Sequence, residues 1–456
     1  MFLVIFLLLG LFIILYTNND FKKIITFFII SIPLLGFVAN HLKPYTALAP
    51  VFYDFVFIAP IYISLFIKKL KYGFFGMMNL NLKFVFIFFI SLVFIQFFNP
   101  FNTMPLLGKL VGLKVWLFYF LLVAAGFYYV DNEDDVIKLC KILAIMSLIP
   151  CLIGIIQYIL AINIGQFEAM KLFYPEQIAK WSTQDLTIFK YQADIILFRL
   201  PSTFVSAVQF GNYLLFAFVP VLTCLSFYED REKKFFYLII IVLILFASIA
   251  SGERGMFIYI PILFIYYSIF YSKPHKTIFY CFVAYLVFSI IYNLQFKNID
   301  ILLNVIMTLT NKYVDSTFKG GFDFLINNFL GNGVGSGTSQ TRRITDIALE
   351  VGPIDVAHGA SESYYFKIIK ELGFFGIIAI SIFYISILNS LRTALKKQTN
   401  ESIKVFISSF IAFFLVMITI NFKSGHIDLF PSNILVYFFL GIVLKLNLIK
   451  NKEYHD

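Results

Sequence analysis

The chain opens with MFLVIFLLLGLFIILY at residues 1–16, a run without a single charged side chain. No basic residue precedes it and no small-residue cleavage site follows, so we expect an uncleaved first transmembrane span rather than a signal peptide. The same character extends along all 456 residues, of which 60% are hydrophobic and only 14% charged. A soluble protein of this size carries roughly a quarter charged residues. The composition therefore predicts an all-α, polytopic membrane protein whose residues 1–456 form a single integral membrane domain.

Apolar runs long enough to cross a bilayer recur along the chain, and their number predicts about 12–13 transmembrane helices. Thirteen candidate spans cover residues 1–16, 24–39, 47–67, 84–98, 111–130, 138–160, 207–227, 235–250, 255–272, 277–292, 372–391, 404–421 and 432–449. Two loops between them are long, at about 161–206 and 293–371, and long loops in compact proteins are often functional. The second loop contains FDFLINNFL at Phe322–Leu330, whose apolar residues can share one helical face at the membrane surface.

The distribution of basic residues predicts the orientation of the chain. If thirteen spans alternate, twenty Lys and Arg residues fall in short loops on one side. The short loops opposite hold only Lys43, Lys109, Arg254 and Lys423. Because cytoplasmic loops are enriched in Lys and Arg, the first side is predicted to be cytoplasmic, with both long loops outside. We expect a multi-pass protein of the bacterial cytoplasmic (inner) membrane with its functional site on the periplasmic or extracellular side.

Several function classes lack their sequence signals. The net charge of +10 is explained by cytoplasmic loops, so it does not indicate nucleic-acid binding. The four cysteines lie in or beside apolar runs and form no CxxC pair, which favours core packing over a metal site. The chain has no HExxH motif, no Walker A motif and no DxD motif on the outer side. We therefore expect chemistry without a metal or another cofactor.

Polar chemistry collects in one stretch, LGNGVGSGTSQTRRITDIALEVGPIDVAHGASESYYFKIIKELGFFG, at Leu330–Gly376. Its glycine run, Gly331–Gly337, is either a backbone nest for phosphate or a flexible turn, and it lacks P-loop spacing. Arg342 and Arg343 follow. Paired guanidinium groups suit phosphate or pyrophosphate because each binds two oxygens at once, although ordinary solvation also explains them.

The second half of the stretch offers candidates for proton transfer. His358 and Glu362 are four residues apart and would share a helical face, so either could take a proton from an attacking hydroxyl. Glu362 is the stronger candidate because Ser363–Gly373 reads as a helix entering the membrane. A carboxylate at that position is also favoured as a simple dipole cap. Lys367 and Glu371 are spaced to pair with each other.

Charged residues also stand at the edges of other spans. Arg199, just before a span, is either a snorkelling interfacial residue or an anion clamp. Arg254 lies in a very short turn between two spans; Glu253 could neutralise it, yet charge in so tight a turn favours a site. Lys114 and Asp54 lie inside spans, where charge suggests function, and each could instead be a structural partner for the arginines.

Five short motifs resemble those of the O-antigen polymerase and O-antigen ligase superfamily. They are KVWLFYFLL (Lys114–Leu122), FRLPSTF (Phe198–Phe204), SGERG (Ser251–Gly255), LGNGVGSG (residues 330–337) and ESYYFKIIKELGFFG (Glu362–Gly376). The resemblance extends to the layout of many spans with a large outer loop in the C-terminal half. Ligases of that family typically carry a His-Asn pair where this chain has Glu362. His358 is offset from that position by one helical turn, which favours a polymerase of O-antigen, capsule or exopolysaccharide.

The resemblance implies a metal-independent glycosyltransferase acting on undecaprenyl pyrophosphate-linked oligosaccharides. It implies that Arg254 and Arg199 bind the pyrophosphate, with Arg342, Arg343 and Lys114 as further substrate-binding candidates. Glu362 or His358 would complete a catalytic set with Arg254. A chain-length regulator and a flippase are the expected protein partners, beside membrane lipid. The alternatives are a ligase that moves glycan onto lipid A core or protein, and a flippase or transporter of lipid-linked sugars.

Overall fold

A computed structural model describes residues 2–18, 20–46, 48–68, 80–184, 198–253, 255–271, 315–338, 363–422 and 425–453. These residues form helices and the segments that join them, with no strand in the described part. The α-helices, numbered along the chain, are α1 Phe2–Tyr16, α2 Phe21–Leu42, α3 Ala59–Lys68, α4 Leu80–Phe97, α5 Leu106–Leu113, α6 Leu122–Tyr129, α7 Glu133–Met146, α8 Leu148–Ile164, α9 Gln166–Lys171, α10 Glu176–Gln184, α11 Ala207–Phe227, α12 Arg231–Ala250, α13 Met256–Phe270, α14 Asp315–Asn327, α15 Tyr364–Lys397, α16 Glu401–Ile420 and α17 Ser432–Glu453. The shorter helices are the π-helical segments Asp54–Ile58 and Lys114–Phe118 and the 3₁₀ turns Ala49–Val51, Tyr119–Leu121 and His426–Asp428.

The expected all-α, polytopic membrane architecture is confirmed. Eight helical stretches in the described residues are long and apolar enough to cross a membrane, and four shorter apolar helices accompany them. The predicted span 138–160 is the longer continuous stretch Glu133–Ile164, built from α7 and α8. The predicted span 277–292 lies outside the described residues.

Helix starts are set by capping side chains at the ends of the apolar runs. Ser206 accepts a hydrogen bond from the backbone N–H of Gln209, and Asn132 accepts one from that of Asp135. Such caps satisfy backbone donors that the first helical turn leaves without a partner. The sequence thus places a polar N-cap residue immediately before each of these two helices.

Glycine allows two of the described helices, α6 and α17, to contact each other closely. A Cβ atom at Gly126 in α6 would lie 1.8 Å from the carbonyl oxygen of Phe438 in α17, and one at Gly441 would lie 2.0 Å from that of Val123. Helices in membranes associate through such small residues because lipid provides no hydrophobic drive between them. The buried core around this crossing is completed by α11 and α16.

Polar contacts sort the described loops into two ends, as the alternating topology predicts. At the first end Lys22 Nζ lies 2.8 Å from Asp131 and 2.7 Å from Asp135, and Asn400 donates to Glu133. We call this the basic end, because the described lysines and arginines of the predicted cytoplasmic loops, such as Lys22, lie there. The other end, called the site end, holds residues 43–46, 48–53, 99–105, 165–184, 198–206, 251–253, 328–338, 421–422 and 425–431.

The second long loop begins its described part with the amphipathic helix α14. Phe324 packs its ring against Phe366 of α15, with centroids 5.9 Å apart, while Phe322 and Ile326 are about two-thirds exposed. Phe329, just beyond α14, stacks on Phe374 at 5.0 Å, so the exposed apolar stripe continues onto the surface of α15. Because α15 is a candidate membrane span, this stripe is positioned to contact lipid.

We expect a tryptophan at position 326 to sit in the bilayer interface. In liposomes, Ile326→Trp should add fluorescence that brominated lipids quench strongly and aqueous iodide quenches weakly. Asn327→Trp, one residue further round the exposed surface of α14, is the matched control and should show the opposite preference. Strong iodide quenching of both variants would contradict an interfacial helix.

Candidate functional site

The glycine run folds onto the start of α15. Gly331, Gly333 and Gly335 have φ values of 77°, 86° and 93°, a region that residues with a side chain rarely adopt. Asn332 N–H donates to the carbonyl of Lys370, and Gly333 N–H donates to that of Glu371. At Gly373, where φ is 65°, the helical path of α15 breaks and leaves room for this contact.

The Glu371 carboxylate occupies the anion position that the glycine run creates. Its Oε1 accepts hydrogen bonds from Gly337 N–H at 2.9 Å and from the Thr338 hydroxyl at 2.7 Å. Its Oε2 accepts one at 2.6 Å from Nε1–H of Trp116. The glycine run therefore supplies one backbone N–H, that of Gly337, to the protein's own fully buried Glu371 carboxylate.

Lys367 pairs with Asp428 and not with Glu371, so the sequence-based pairing was wrong. Lys367 Nζ lies 2.5 Å from Asp428 Oδ2 and 4.1 Å from the centre of the Trp116 ring. The helical spacing of Lys367 and Glu371 is overridden because three other donors satisfy Glu371. Burial raises the pKa of the Asp428 carboxyl above its usual range, although neighbouring Lys367 opposes that shift.

Lys114 and Asp54 pair with each other across two facing π-helical segments. Tyr119 donates to Asp54 Oδ1 at 2.9 Å, and the hydroxyls of Tyr53 and Tyr119 lie 3.2 Å apart. Insertions of this kind are frequent at functional sites because they turn side chains out of the regular helical register. The sequence analysis singled out both Lys114 and Asp54 but did not predict that they pair with each other.

Arg199 and the short turn after α12 also lie together. Arg199 Nη2 is 2.9 Å from Glu253 Oε2, and Leu200 N–H donates to the carbonyl of Ser251 at 3.1 Å. Gly252, with φ of 64°, lets the turn approach so closely that a Cβ there would lie 1.9 Å from the carbonyl oxygen of Phe198. The charge of Glu253 is therefore directed at Arg199.

A histidine that the sequence analysis did not single out lies in the last segment of the site end. His426 Nδ1 lies 2.8 Å from the side-chain oxygen of Asn212, whose amide nitrogen donates to the His426 carbonyl. That second bond orients the Asn212 amide with its oxygen toward the ring, where the oxygen can accept a hydrogen bond from Nδ1.

The segment 425–431 connects these contacts. Besides Asp428 and His426 it contains Phe430, whose ring lies 4.9 Å from that of Tyr53, next to Asp54. The Phe430 ring also contacts that of Phe204 at 6.4 Å. Charged pairs from distant parts of the chain thus meet around one turn at the site end.

Of the predicted site residues, Lys114 and Arg199 are in the described residues and each binds a buried carboxylate. The remaining five lie outside the described residues. They are Arg254, Arg342, Arg343, His358 and Glu362. Asp428 and His426 were not among the predicted residues. The sequence signal that points to them is weak: they are the acid and the histidine of SGHIDLFPSN, a short polar segment between two apolar runs.

No protein-family model matches the chain, and no curated protein matches it. The function must therefore be inferred from the sequence patterns and from the contacts at the site end.

Proposed function

We propose that this protein polymerises lipid-linked oligosaccharide repeat units of O-antigen, capsule or exopolysaccharide. The donor is an undecaprenyl pyrophosphate-linked glycan, and transfer takes place at the outer face of the bacterial cytoplasmic membrane without a metal. The site end is assigned to that outer face. The motif resemblance supports this reaction class, and the charged pairs at the site end support its chemistry.

The observation that carries the proposal is that two partly exposed cations are held by buried carboxylates. The Arg199 side chain is 29% exposed while that of Glu253 is 6% exposed. The Lys114 side chain is 22% exposed while that of Asp54 is 5% exposed. A cation whose orientation is fixed before the ligand arrives binds a diphosphate without reorganising, which is how preorganised sites stabilise a developing negative charge.

The proposed reaction is a single glycosyl transfer between two lipid-linked glycans. A hydroxyl oxygen of the acceptor forms a bond to the anomeric carbon of the donor, and the bond from that carbon to the pyrophosphate oxygen breaks. The leaving group is undecaprenyl pyrophosphate, whose charge is neutralised by Arg199 and Arg254, with Arg342, Arg343 and Lys114 as further contacts. The acceptor hydroxyl loses its proton to a base, for which the sequence offers Glu362 and His358.

The same cations would serve a ligase that passes the finished glycan to lipid A core or protein, so the two activities differ only in acceptor. A flippase is a distinct class, and it needs charged groups along the path through the membrane. Lys114–Asp54 lies within candidate spans, but the other two ion pairs described above, Arg199–Glu253 and Lys367–Asp428, lie at the site end, which favours an enzyme. A flippase and a chain-length regulator are then its proposed partners.

Replacing the two arginines tests the proposal in a strain whose own gene is deleted. With Arg199→Ala or Arg254→Ala we expect long surface glycans to disappear and single repeat units to accumulate, because the pyrophosphate loses its counter-charge. Arg231→Ala, an exposed arginine at the basic end, is the matched control and should restore the full ladder. Membrane levels of each variant are checked by immunoblot.

The pattern of products separates the alternatives. Long chains that form but stay on the lipid carrier would identify a ligase. Repeat units trapped on the cytoplasmic face would identify a flippase. A full ladder from both arginine variants would contradict the assigned anion site.

A further inference from the structure

The three ion pairs described above differ in which partner is the more exposed. In two of them the cation is the more exposed member and the carboxylate is the buried one. The third pair is reversed, because the Lys367 side chain is only 8% exposed and that of Asp428 is 18% exposed. This third pair therefore presents a carboxylate, whereas the other two present a positive charge.

Lys367 is committed to contacts inside the protein. Its ammonium group lies over the Trp116 ring at 4.1 Å and is 5.6 Å from the centre of the Tyr364 ring. Trp116 is itself fixed by its hydrogen bond to Glu371. Lys367 thus binds Asp428 through Oδ2. The carboxylate of Asp428 has a second oxygen, Oδ1, which can accept a proton.

The turn that carries Asp428 is fixed from three sides. Its neighbour Ile427 donates its N–H to the side chain of Asn421, and His426 is held by Asn212. Phe430 packs against Tyr53, whose chain neighbour Asp54 binds Lys114. This rigidity is what a general base requires, because proton transfer depends on a position held to within a fraction of an ångström.

We propose that Asp428 is the base that deprotonates the acceptor hydroxyl. The inference rests on the proposed glycosyl transfer. The hydroxyl proton moves to Asp428 Oδ1 while the hydroxyl oxygen bonds to the anomeric carbon and undecaprenyl pyrophosphate departs with the electron pair of the broken bond. Burial raises the pKa of Asp428 and so makes its carboxylate a stronger base than an ordinary aspartate, while Lys367 opposes that shift and orients the carboxylate.

A purely structural ion pair is the competing explanation, and a double variant separates the two. Replacing one member of a buried pair leaves an uncompensated charge, whereas replacing both removes that penalty. If the pair only stabilises the fold, Lys367→Met combined with Asp428→Asn should recover both thermal stability and activity. If Asp428 is the base, the double variant should recover stability alone.

The assay uses full-length protein in nanodiscs and the lipid-linked repeat units extracted from the deletion strain. We expect Asp428→Asn and the double variant each to slow glycan transfer by about 100-fold or more, the size of a general-base contribution. Donor affinity should stay within about threefold of the parent, because the anion-binding arginines are intact. Asp323→Asn, an exposed acid on α14, is the matched control and should transfer glycan at the parental rate.

The role of Asp428 as the base would be overturned if Asp428→Asn transferred glycan within about threefold of the parent rate, or if the double variant recovered transfer. Either result would leave the proposed function standing. Loss of transfer in Glu362→Gln with full transfer in Asp428→Asn would move the role of base to Glu362. If the parent protein transfers no glycan at all, the proposed function falls and this inference with it.

Discussion

Glu371→Ala should be among the most destabilising single substitutions in this protein. Removing the carboxylate leaves three donors without their acceptor: the Trp116 indole N–H, the Gly337 N–H and the Thr338 hydroxyl. An unpaired buried donor costs about 1–3 kcal/mol, and two of the three, on Trp116 and Thr338, belong to buried hydrogen bonds, so the total should be at least about 2 kcal/mol. We expect a large fall in the unfolding midpoint of the detergent-solubilised protein, followed as loss of the monodisperse size-exclusion peak on heating.

Glu371→Gln should be the milder variant, because the amide oxygen can still accept from Gly337 and Thr338. Its NH₂ group would face the donor of Trp116, so adding Trp116→Phe should recover part of the lost stability. Glu168→Ala is the matched control: its side chain is 56% exposed, and such surface changes usually stay within about 0.5 kcal/mol. An unchanged midpoint for Glu371→Ala would contradict the anchoring role of this carboxylate.

Gly252→Ala should abolish activity, although no functional side chain is removed. Position 252 has φ of 64°, which costs a residue with a side chain about 1–2 kcal/mol. The new Cβ would also lie 1.9 Å from the Phe198 carbonyl oxygen, so the turn must move away. That movement breaks the bond from Leu200 to Ser251 and separates Arg199 from Glu253. The surface glycan ladder should collapse as it does in Arg199→Ala.

Gly165→Ala is the matched control, since Gly165 has φ of 86° but nothing within 4 Å of the position its Cβ would take. Gly165→Ala should lose some stability because of backbone strain but should still produce the full surface glycan ladder. Equal ladders from the two variants would show that the close contact between Gly252 and Phe198 has no functional role. The comparison is read on the same gels as the arginine variants, with membrane levels checked in parallel.

Sequence patterns located most of the helices because lipid-facing and core-facing residues are both apolar in a membrane protein. The runs 207–227 and 432–449 match α11 and most of α17 for that reason. The start of α15 agrees with the helix predicted from Ser363, whereas the membrane span was predicted to begin only at 372, because the first turns of the helix carry Lys367 and Glu371. Those charges are tolerated there only because Asp428, Trp116 and the glycine run satisfy them, and none of these partners is near in sequence.

The contacts of the candidate site could be anticipated only in part, for a similar reason. Arg199 and Lys114 were singled out as candidates because charge at the edge of an apolar run is conspicuous. Their partners could not be assigned, since helical spacing predicts neighbours along one helix and not contacts between residues 54 and 114 or 199 and 253. Asp428 carries only the weak signal of an acid in a short polar segment between two apolar runs. Its significance depends on Lys367, which lies 61 residues earlier, and on the burial of that lysine.

The most direct test of the central claim is glycan transfer by the purified protein reconstituted in proteoliposomes with extracted lipid-linked repeat units and a metal chelator. We predict that the lipid-linked glycans lengthen in steps of one repeat unit and that one undecaprenyl pyrophosphate is released for each repeat unit transferred. Movement of the lipid-linked units between leaflets, with no lengthening and no release of undecaprenyl pyrophosphate, would contradict the polymerase and identify a transporter.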